Sequence, residues 1–193
     1  MRYAVVRHDS LYASGSFRVP TNETVERFEV GADAISHLRQ EGYVVVRGVL
    51  NATELIHARE LLWAFMEGTA QGVRRDDPMS WAANGPNPYG IFWGFGAGHS
   101  RLLWFIRTRP VLLRMFELVW GTSDLISSFE AFSMFPPRRA ELRWRLGESW
   151  FHTDQNGRSR PGLQTVQSFT SLYDQDEATG AFVVRLRPPC EYD

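Results

Sequence analysis

The sequence contains no lysine, because all 21 of its basic residues are arginine. This absence excludes chemistry that needs a lysine amine, such as Schiff-base catalysis, the phosphate-loop lysine and the kinase lysine. Cysteine is also scarce. Cys190 is the only one, which excludes an internal disulfide framework and a cysteine-rich zinc site, and which fits a reducing compartment.

Long apolar runs and targeting signals are absent as well. No run approaches the roughly 20 apolar residues that a transmembrane helix needs. Residues 1–16 contain arginine and serine but lack the apolar centre of a signal peptide, although a transit peptide stays open. The last three residues do not form a peroxisomal Ser-Lys-Leu signal. We therefore expect no membrane association and a cytoplasmic location.

The composition is that of an ordinary globular protein. The 193 residues are 44% hydrophobic and 22% charged, which is enough for one domain with a substantial core. The net charge of −1 creates no overall field that would attract nucleic acid or an anionic membrane. A charged partner would therefore have to bind through a local group of charged residues.

Three helices are predicted from apolar periodicity and end signals. The first covers residues 34–42 and ends in glycine. The second covers residues 51–68, where Asn51 and Glu54 have the spacing of a capping box. The third begins at Pro110 and continues to residue 121. The predicted apolar stripe of the second helix consists of Leu55, Ala58, Leu61, Leu62 and Phe65.

Strands are predicted mainly in the second half of the chain. Residues 43–50 are rich in valine and are typical of a buried strand. Residues 71–100 are rich in glycine, proline and aromatic residues, which indicates an ordered loop region. Further strands are predicted at residues 125–135, 163–173 and 181–186. Since the helices come first and the strands last, the order indicates an α+β fold.

The run Trp-Phe-His-Thr-Asp-Gln-Asn at residues 150–156 contains the pair most able to carry chemistry. His152 and Asp154 together offer an imidazole nitrogen and a carboxylate oxygen, two thirds of a two-histidine, one-carboxylate iron(II) site. No histidine follows this pair in the sequence. The alternative is a surface loop in which the two side chains form a local hydrogen bond.

Three segments in a fixed order resemble the phytanoyl-CoA dioxygenase family of iron(II)/2-oxoglutarate oxygenases. They are Gly-Tyr-Val-Val-Val-Arg-Gly-Val-Leu at 42–50, His-Thr-Asp at 152–154 and Glu-Ala-Thr-Gly-Ala-Phe-Val-Val at 177–184. The resemblance covers residues 35–184. It implies a double-stranded β-helix, the jelly-roll or cupin-like barrel, with N-terminal helices packed on the sheet. It also implies that His152 and Asp154 bind iron(II).

The same resemblance implies a set of residues for the cosubstrate, 2-oxoglutarate. Met134 matches a position that lines the cosubstrate site, and Phe169 matches an aromatic position of the following strand. Thr153 lies between the two metal ligands and belongs to the same set. From the residues alone, Met134 and Phe169 are better explained as core side chains, and only the resemblance supports the cosubstrate role.

The resemblance ends abruptly at residue 184. The family continues into a turn, a distal metal histidine and an arginine for 2-oxoglutarate, whereas residues 185–193 form a divergent tail. We therefore expect residues 1–193 to form a single incomplete domain with weak or absent activity. The family reaction is hydroxylation of a small organic or lipid-like substrate, with 2-oxoglutarate converted to succinate and CO2. The alternative function is that of a non-catalytic fragment or isoform acting as a binding module.

An arginine-rich segment at residues 138–145 precedes the metal motif. Arginines that alternate with tryptophan can contact phosphates and bases, and they can also form a lid that meets an anionic substrate. A solvated loop is the simplest interpretation. We do not expect a nucleic-acid partner, because eight residues make a short contact surface.

Overall fold

The structure is a computed structural model that describes residues 4–6, 25–69, 72–82, 91–134, 152, 154–175 and 182–185. Its strands are β1 (Ala4–Val6), β2 (Ile91–Phe92), β3 (Phe132–Ser133) and β4 (Val183–Arg185). Its α-helices are α1 (Ala32–Glu41), α2 (Ala52–Thr69), α3 (Arg101–Arg107) and α4 (Pro110–Trp120), and 3₁₀ turns cover Pro78–Ala82 and Ala97–His99. Within these ranges, none of the helices has the length and apolar character needed to cross a membrane.

Helix α2 begins at the predicted capping box. The Glu54 backbone N–H donates to Asn51 Oδ1 at 2.9 Å, and the Asn51 backbone N–H donates to Glu54 Oε2 at 3.0 Å. These two bonds satisfy backbone donors that the first helical turn leaves without partners. The other oxygen of Glu54 accepts a hydrogen bond from Arg109 Nη1 at 2.8 Å. The capping box therefore also joins α2 to the residue that precedes α4.

Helix α2 is also the centre of the main core. Ala58 and Met66 are completely buried on one face. Leu61 and Trp63, which flank this face on its two sides, are buried as well, so the helix is covered on more than one side. The buried members of the main core are Ala58, Leu61, Leu62, Trp63, Met66, Val73, Phe92, Ala97 and Leu102. The predicted stripe is confirmed at Ala58, Leu61 and Leu62, while Trp63 and Met66 extend the buried surface beyond it.

Helices α1 and α4 form a second, smaller cluster. Ala34 and Ile35 of α1 pack with Met115 of α4. Both helices end at a glycine in the left-handed conformation, Gly42 with φ 77° and Gly121 with φ 69°. Glycine adopts this conformation without strain, which explains why each helix ends there. Both helix predictions are confirmed, although α1 begins two residues earlier than expected.

Helix α3 is absent from the predicted elements. Ser100 caps it, because its hydroxyl oxygen accepts a hydrogen bond from the Leu103 backbone N–H at 3.2 Å. Leu102 is buried in the main core and anchors the helix against α2. With seven residues, α3 is too short to produce a clear apolar periodicity in the sequence.

The described strands form two separate pairs. β1 and β4 are parallel, with Ala4 opposite Val183, and thus bring the two ends of the chain together. β2 and β3 are antiparallel, with Phe92 opposite Phe132. The two phenylalanine rings stack with their centroids 5.0 Å apart, so this pair adds to the main core.

Most of the predicted strands are shorter than expected or absent. Residues 43–50 form one isolated parallel bridge, between Phe28 and Val46, and residues 125–134 form only β3. The strand predicted at 163–173 is wrong, because these residues are described and none belongs to a strand. Valine-rich segments favour an extended chain, but a strand also needs a neighbour with matching hydrogen bonds. The double-stranded β-helix stays a prediction.

The capping box gives Glu54 a pH-dependent role in stability. The Asn51 backbone N–H and, next, the Arg109 guanidinium hold the pKa of Glu54 below its usual 4.5. A carboxyl whose pKa is lowered by folding stabilises the protein above its unfolded pKa and loses this effect as the pH falls. We expect Glu54→Gln to lower the free energy of unfolding at pH 7, and the difference from the wild type to shrink as the pH falls below 4.5 and through the lowered pKa of Glu54.

Urea denaturation at pH 7, 5.5, 4.5 and 3.5 measures this difference. Glu41→Gln is the matched control, because Glu41 lies exposed at the end of α1. A difference for Glu54→Gln that stays constant down to pH 3.5 would contradict the electrostatic role.

Candidate metal and cosubstrate site

His152 and Asp154 lie side by side in the structure. His152 Nε2 is 3.4 Å from Asp154 Oδ1, and the two side chains are 42% and 43% exposed. Two ligand atoms about 2.1 Å from a first-row metal ion and at a right angle to each other lie about 3.0 Å apart. The observed distance is close to this value. The pair fits two neighbouring ligand positions of one ion.

The same distance also fits the alternative of a local ion pair. A partly exposed histidine and carboxylate contribute only about 0–1 kcal/mol to stability when they pair. The fold therefore does not depend on this contact. Replacement of either residue should leave the protein folded.

The second carboxylate oxygen of Asp154 has a separate partner. The side-chain amide of Gln167 donates a hydrogen bond to Asp154 Oδ2, while Oδ1 faces His152. The two oxygens therefore have different environments. Oδ2 accepts the hydrogen bond from Gln167, and Oδ1 lies in front of the His152 imidazole.

A single side chain organises the loop after Asp154. Gln155 Nε2 donates to the backbone carbonyls of Arg160, at 2.6 Å, and of Gly162. Gln155 Oε1 accepts from the backbone N–H groups of Gln164, at 3.0 Å, and of Thr165, at 3.1 Å. These four bonds replace the backbone ladder that a hairpin would have. They hold residues 160–165 close to the metal pair.

The segment that follows is fixed to helix α2. Arg59 Nε donates to the Leu172 carbonyl at 2.7 Å, and its guanidinium lies 4.5 Å from the centroid of the Tyr173 ring. Trp63 Nε1 donates to the Tyr173 hydroxyl at 3.0 Å. Leu172 also packs against the main core. Helix α2 thus anchors the end of the segment that contains Gln167 and Phe169.

The three residues expected at the cosubstrate site have different outcomes. Met134 is half-buried and packs against the main core, which fits the core explanation. Phe169 is 46% exposed, and its ring lies 4.8 Å from that of Phe182. Thr153 lies outside the described residues. The structure brings His152 and Asp154 together, and the cosubstrate roles of Met134, Thr153 and Phe169 stay predictions.

The other described histidines pack against aromatic rings. His37 lies 4.6 Å from Phe28, and His57 lies 4.9 Å from Phe105, measured between ring centroids. His99 lies 4.4 Å from Phe129. These ring contacts give the three histidines a role in packing.

In the described part of the chain, His152 and Asp154 have no third protein ligand beside them. Among the residues that the structure describes, no group of three or more His, Cys, Asp or Glu side chains could hold a metal ion. His152 and Asp154 could act as two ligands of one iron(II) ion. The arginine-rich residues 138–145 lie outside the described ranges.

The sequence analysis missed two residues of this site, Gln155 and Gln167. Both act through side-chain amides, whose partners are 5 to 13 positions away in the sequence. No short motif signals such a partner. The one available signal was the position of Gln155 directly after a predicted ligand.

Comparison with known proteins gives one distant relative. The chain is 23% identical over 146 residues to "Ava biosynthesis cluster protein O" of Aspergillus versicolor. The match covers 75% of this chain and 46% of that protein, so it spans less than half of the relative's length. No protein-family model matches the chain. No solved structure matches it significantly.

The relative's name indicates a biosynthetic setting and gives no reaction. Nothing in the comparison conflicts with the resemblance to the phytanoyl-CoA dioxygenase family.

The hydrogen bond between Trp63 and Tyr173 gives a testable link between α2 and residues 163–173, here called the site segment. Tyr173→Phe removes the acceptor of the Trp63 indole N–H but keeps the ring under Arg59. Trp63 is only 8% exposed, so its N–H would lose a partner in a buried environment. We expect a loss of about 1 kcal/mol in the free energy of unfolding.

A double-mutant cycle with Trp63→Phe tests this assignment. Because the Trp63→Phe variant lacks the indole N–H, adding Tyr173→Phe to it should lower the free energy of unfolding only slightly. Equal costs in both backgrounds, measured by urea denaturation, would show that the hydrogen bond does not link the two segments.

Proposed function

We propose that the chain is part of an iron(II)/2-oxoglutarate-dependent oxygenase of the phytanoyl-CoA dioxygenase type. The observation that carries the proposal is the 3.4 Å separation of His152 Nε2 and Asp154 Oδ1 at a partly exposed site. An imidazole and a carboxylate are the ligand types of this iron class. The order of the three family-like segments supports the same class of protein.

The roles of the two residues follow from their chemistry. His152 would donate a neutral imidazole nitrogen to the ion, and Asp154 would donate a carboxylate oxygen whose charge offsets that of the metal. Bound iron(II) with 2-oxoglutarate and dioxygen would supply the oxidising power for hydroxylation, with succinate and CO2 as coproducts. The partial exposure of the pair leaves room for small molecules on the solvent side.

We propose a small biosynthetic organic molecule as the substrate. The named relative belongs, by its name, to a biosynthesis cluster. A lipid-like substrate stays within the same class. Since the chain spans less than half of that relative, the activity and substrate of the whole protein are part of the proposal.

A non-catalytic binding module is the second candidate. The observation that favours it is the presence of only two gathered ligand side chains in the described part of the chain. Two protein ligands hold an ion less firmly than three, and the ion would exchange more readily with solvent. This candidate differs from the first because it requires neither iron binding nor consumption of 2-oxoglutarate.

Iron binding and succinate formation distinguish the two candidates. We expect the chain to bind one iron(II) ion under anaerobic conditions and, after addition of 2-oxoglutarate and air, to form succinate slowly. His152→Ala and Asp154→Ala should abolish both signals without unfolding the protein. Calorimetry measures the binding, and chromatography measures the succinate.

His57→Ala is the matched control, because His57 lies on α2 and packs against Phe105. It should leave iron binding unchanged. A folded wild-type chain that binds no iron would favour the non-catalytic module. Rapid succinate formation would contradict the expectation of weak turnover.

A further inference from the structure

The carboxylate of Asp154 is held in one orientation by its two neighbours. Gln167 donates to Oδ2, and Oδ1 faces His152. The two oxygens of a carboxylate are equivalent, so a half-turn about its terminal bond changes nothing, but a partial rotation would break the hydrogen bond from the amide. A carboxylate held in this way keeps one oxygen facing the space in front of the imidazole.

The Gln155 side chain closes the loop between Asp154 and Gln167 by hydrogen bonds. The Gln155 side chain binds backbone groups of residues 160–165 through both its nitrogen and its oxygen. Thr165, the last of these residues, lies two positions before Gln167. Asn156 closes the same loop from inside, because its carbonyl accepts a hydrogen bond from the Arg160 backbone N–H at 2.9 Å.

We propose that Gln167 is a positioning residue that fixes the orientation of the Asp154 carboxylate, so that the oxygen facing His152 is ready to bind a metal ion. The inference rests on the proposed function, because it assumes that Asp154 binds a metal ion. Gln167 acts through Asp154 and does not bind the ion itself. Gln155 keeps Gln167 within reach by closing the loop.

The effect of such a residue is on metal affinity and on the geometry of the bound ion. A carboxylate ligand that loses its hydrogen-bond partner can rotate, so part of its orientation must be fixed again when the metal binds. Removal of a group that orients a ligand typically costs about 10–100-fold in metal affinity. Stability of the metal-free protein should change little, because Gln167 and Asp154 are both exposed.

Cobalt(II) binding tests the inference, since this ion has an absorption spectrum that reports its ligand geometry. Gln167→Met keeps the length of the side chain and removes the amide donor. Gln164→Met is the matched control, because Gln164 lies in the same loop and its amide donates to the Pro161 carbonyl at 3.1 Å, not to Asp154. Gln167→Ala is a second variant that removes the donor without adding a long apolar group.

The measurements are the cobalt(II) dissociation constant, the spectrum at saturating cobalt(II) and the melting temperature of the metal-free protein. We expect both Gln167 variants to bind cobalt(II) about 10–100-fold more weakly, with an altered spectrum and an unchanged melting temperature. Gln164→Met should match the wild type in all three measurements.

Two results would overturn the inference, and they can be distinguished. If His152→Ala and Asp154→Ala abolish binding while both Gln167 variants behave like the wild type, the pair binds metal and Gln167 has no positioning role. If the wild type binds no cobalt(II), or binds it equally well without His152 and Asp154, the proposed function fails and the positioning role fails with it.

Discussion

The burial of helix α2 on more than one side is the constraint on which the other elements depend. Met66 and Ala58 are completely buried, so no part of their surfaces is left for solvent. The small side chain of Ala58 allows neighbours to approach closely, while Met66 fills the space between them. Arg59 and Trp63, on the same helix, hold the segment that leads back to the metal pair. One helix therefore supports both the core and the site.

Three of the four described α-helices, all except the short α3, could be predicted because their ends are marked by local chemistry. Asn51 and Glu54 begin α2 through bonds that span only three residues, and Gly121 ends α4 through its own backbone conformation. The strands could not be placed in the same way. Val46 pairs with Phe28, and Val183 pairs with Ala4 across almost the whole chain. A strand depends on its partner, and a local sequence pattern does not name that partner.

The residues of the candidate site also differ in whether a local sequence pattern indicates them. His152 and Asp154 could be found from sequence because they lie two positions apart and carry ligand atoms. Gln167 could not, because its contact with Asp154 depends on a loop that Gln155 closes through side-chain hydrogen bonds. Met134 packs against the main core, and its match to a cosubstrate position stays a prediction. Sequence spacing brought two neighbouring side chains to attention, but it did not indicate the residues that contact them.

The anchoring of Leu172 and Tyr173 on α2 has a consequence for the order of folding. These contacts join residues 113 and 110 positions apart, whereas the capping box and the start of α3 are formed by residues three positions apart. Closing so long a loop costs conformational entropy before any contact forms, so we expect the site segment to dock after the helices. It should also be the first part to detach, because no backbone ladder holds residues 163–173. Amide hydrogen exchange would then be faster in residues 163–173, which follow His152 and Asp154 in the sequence, than in helix α2.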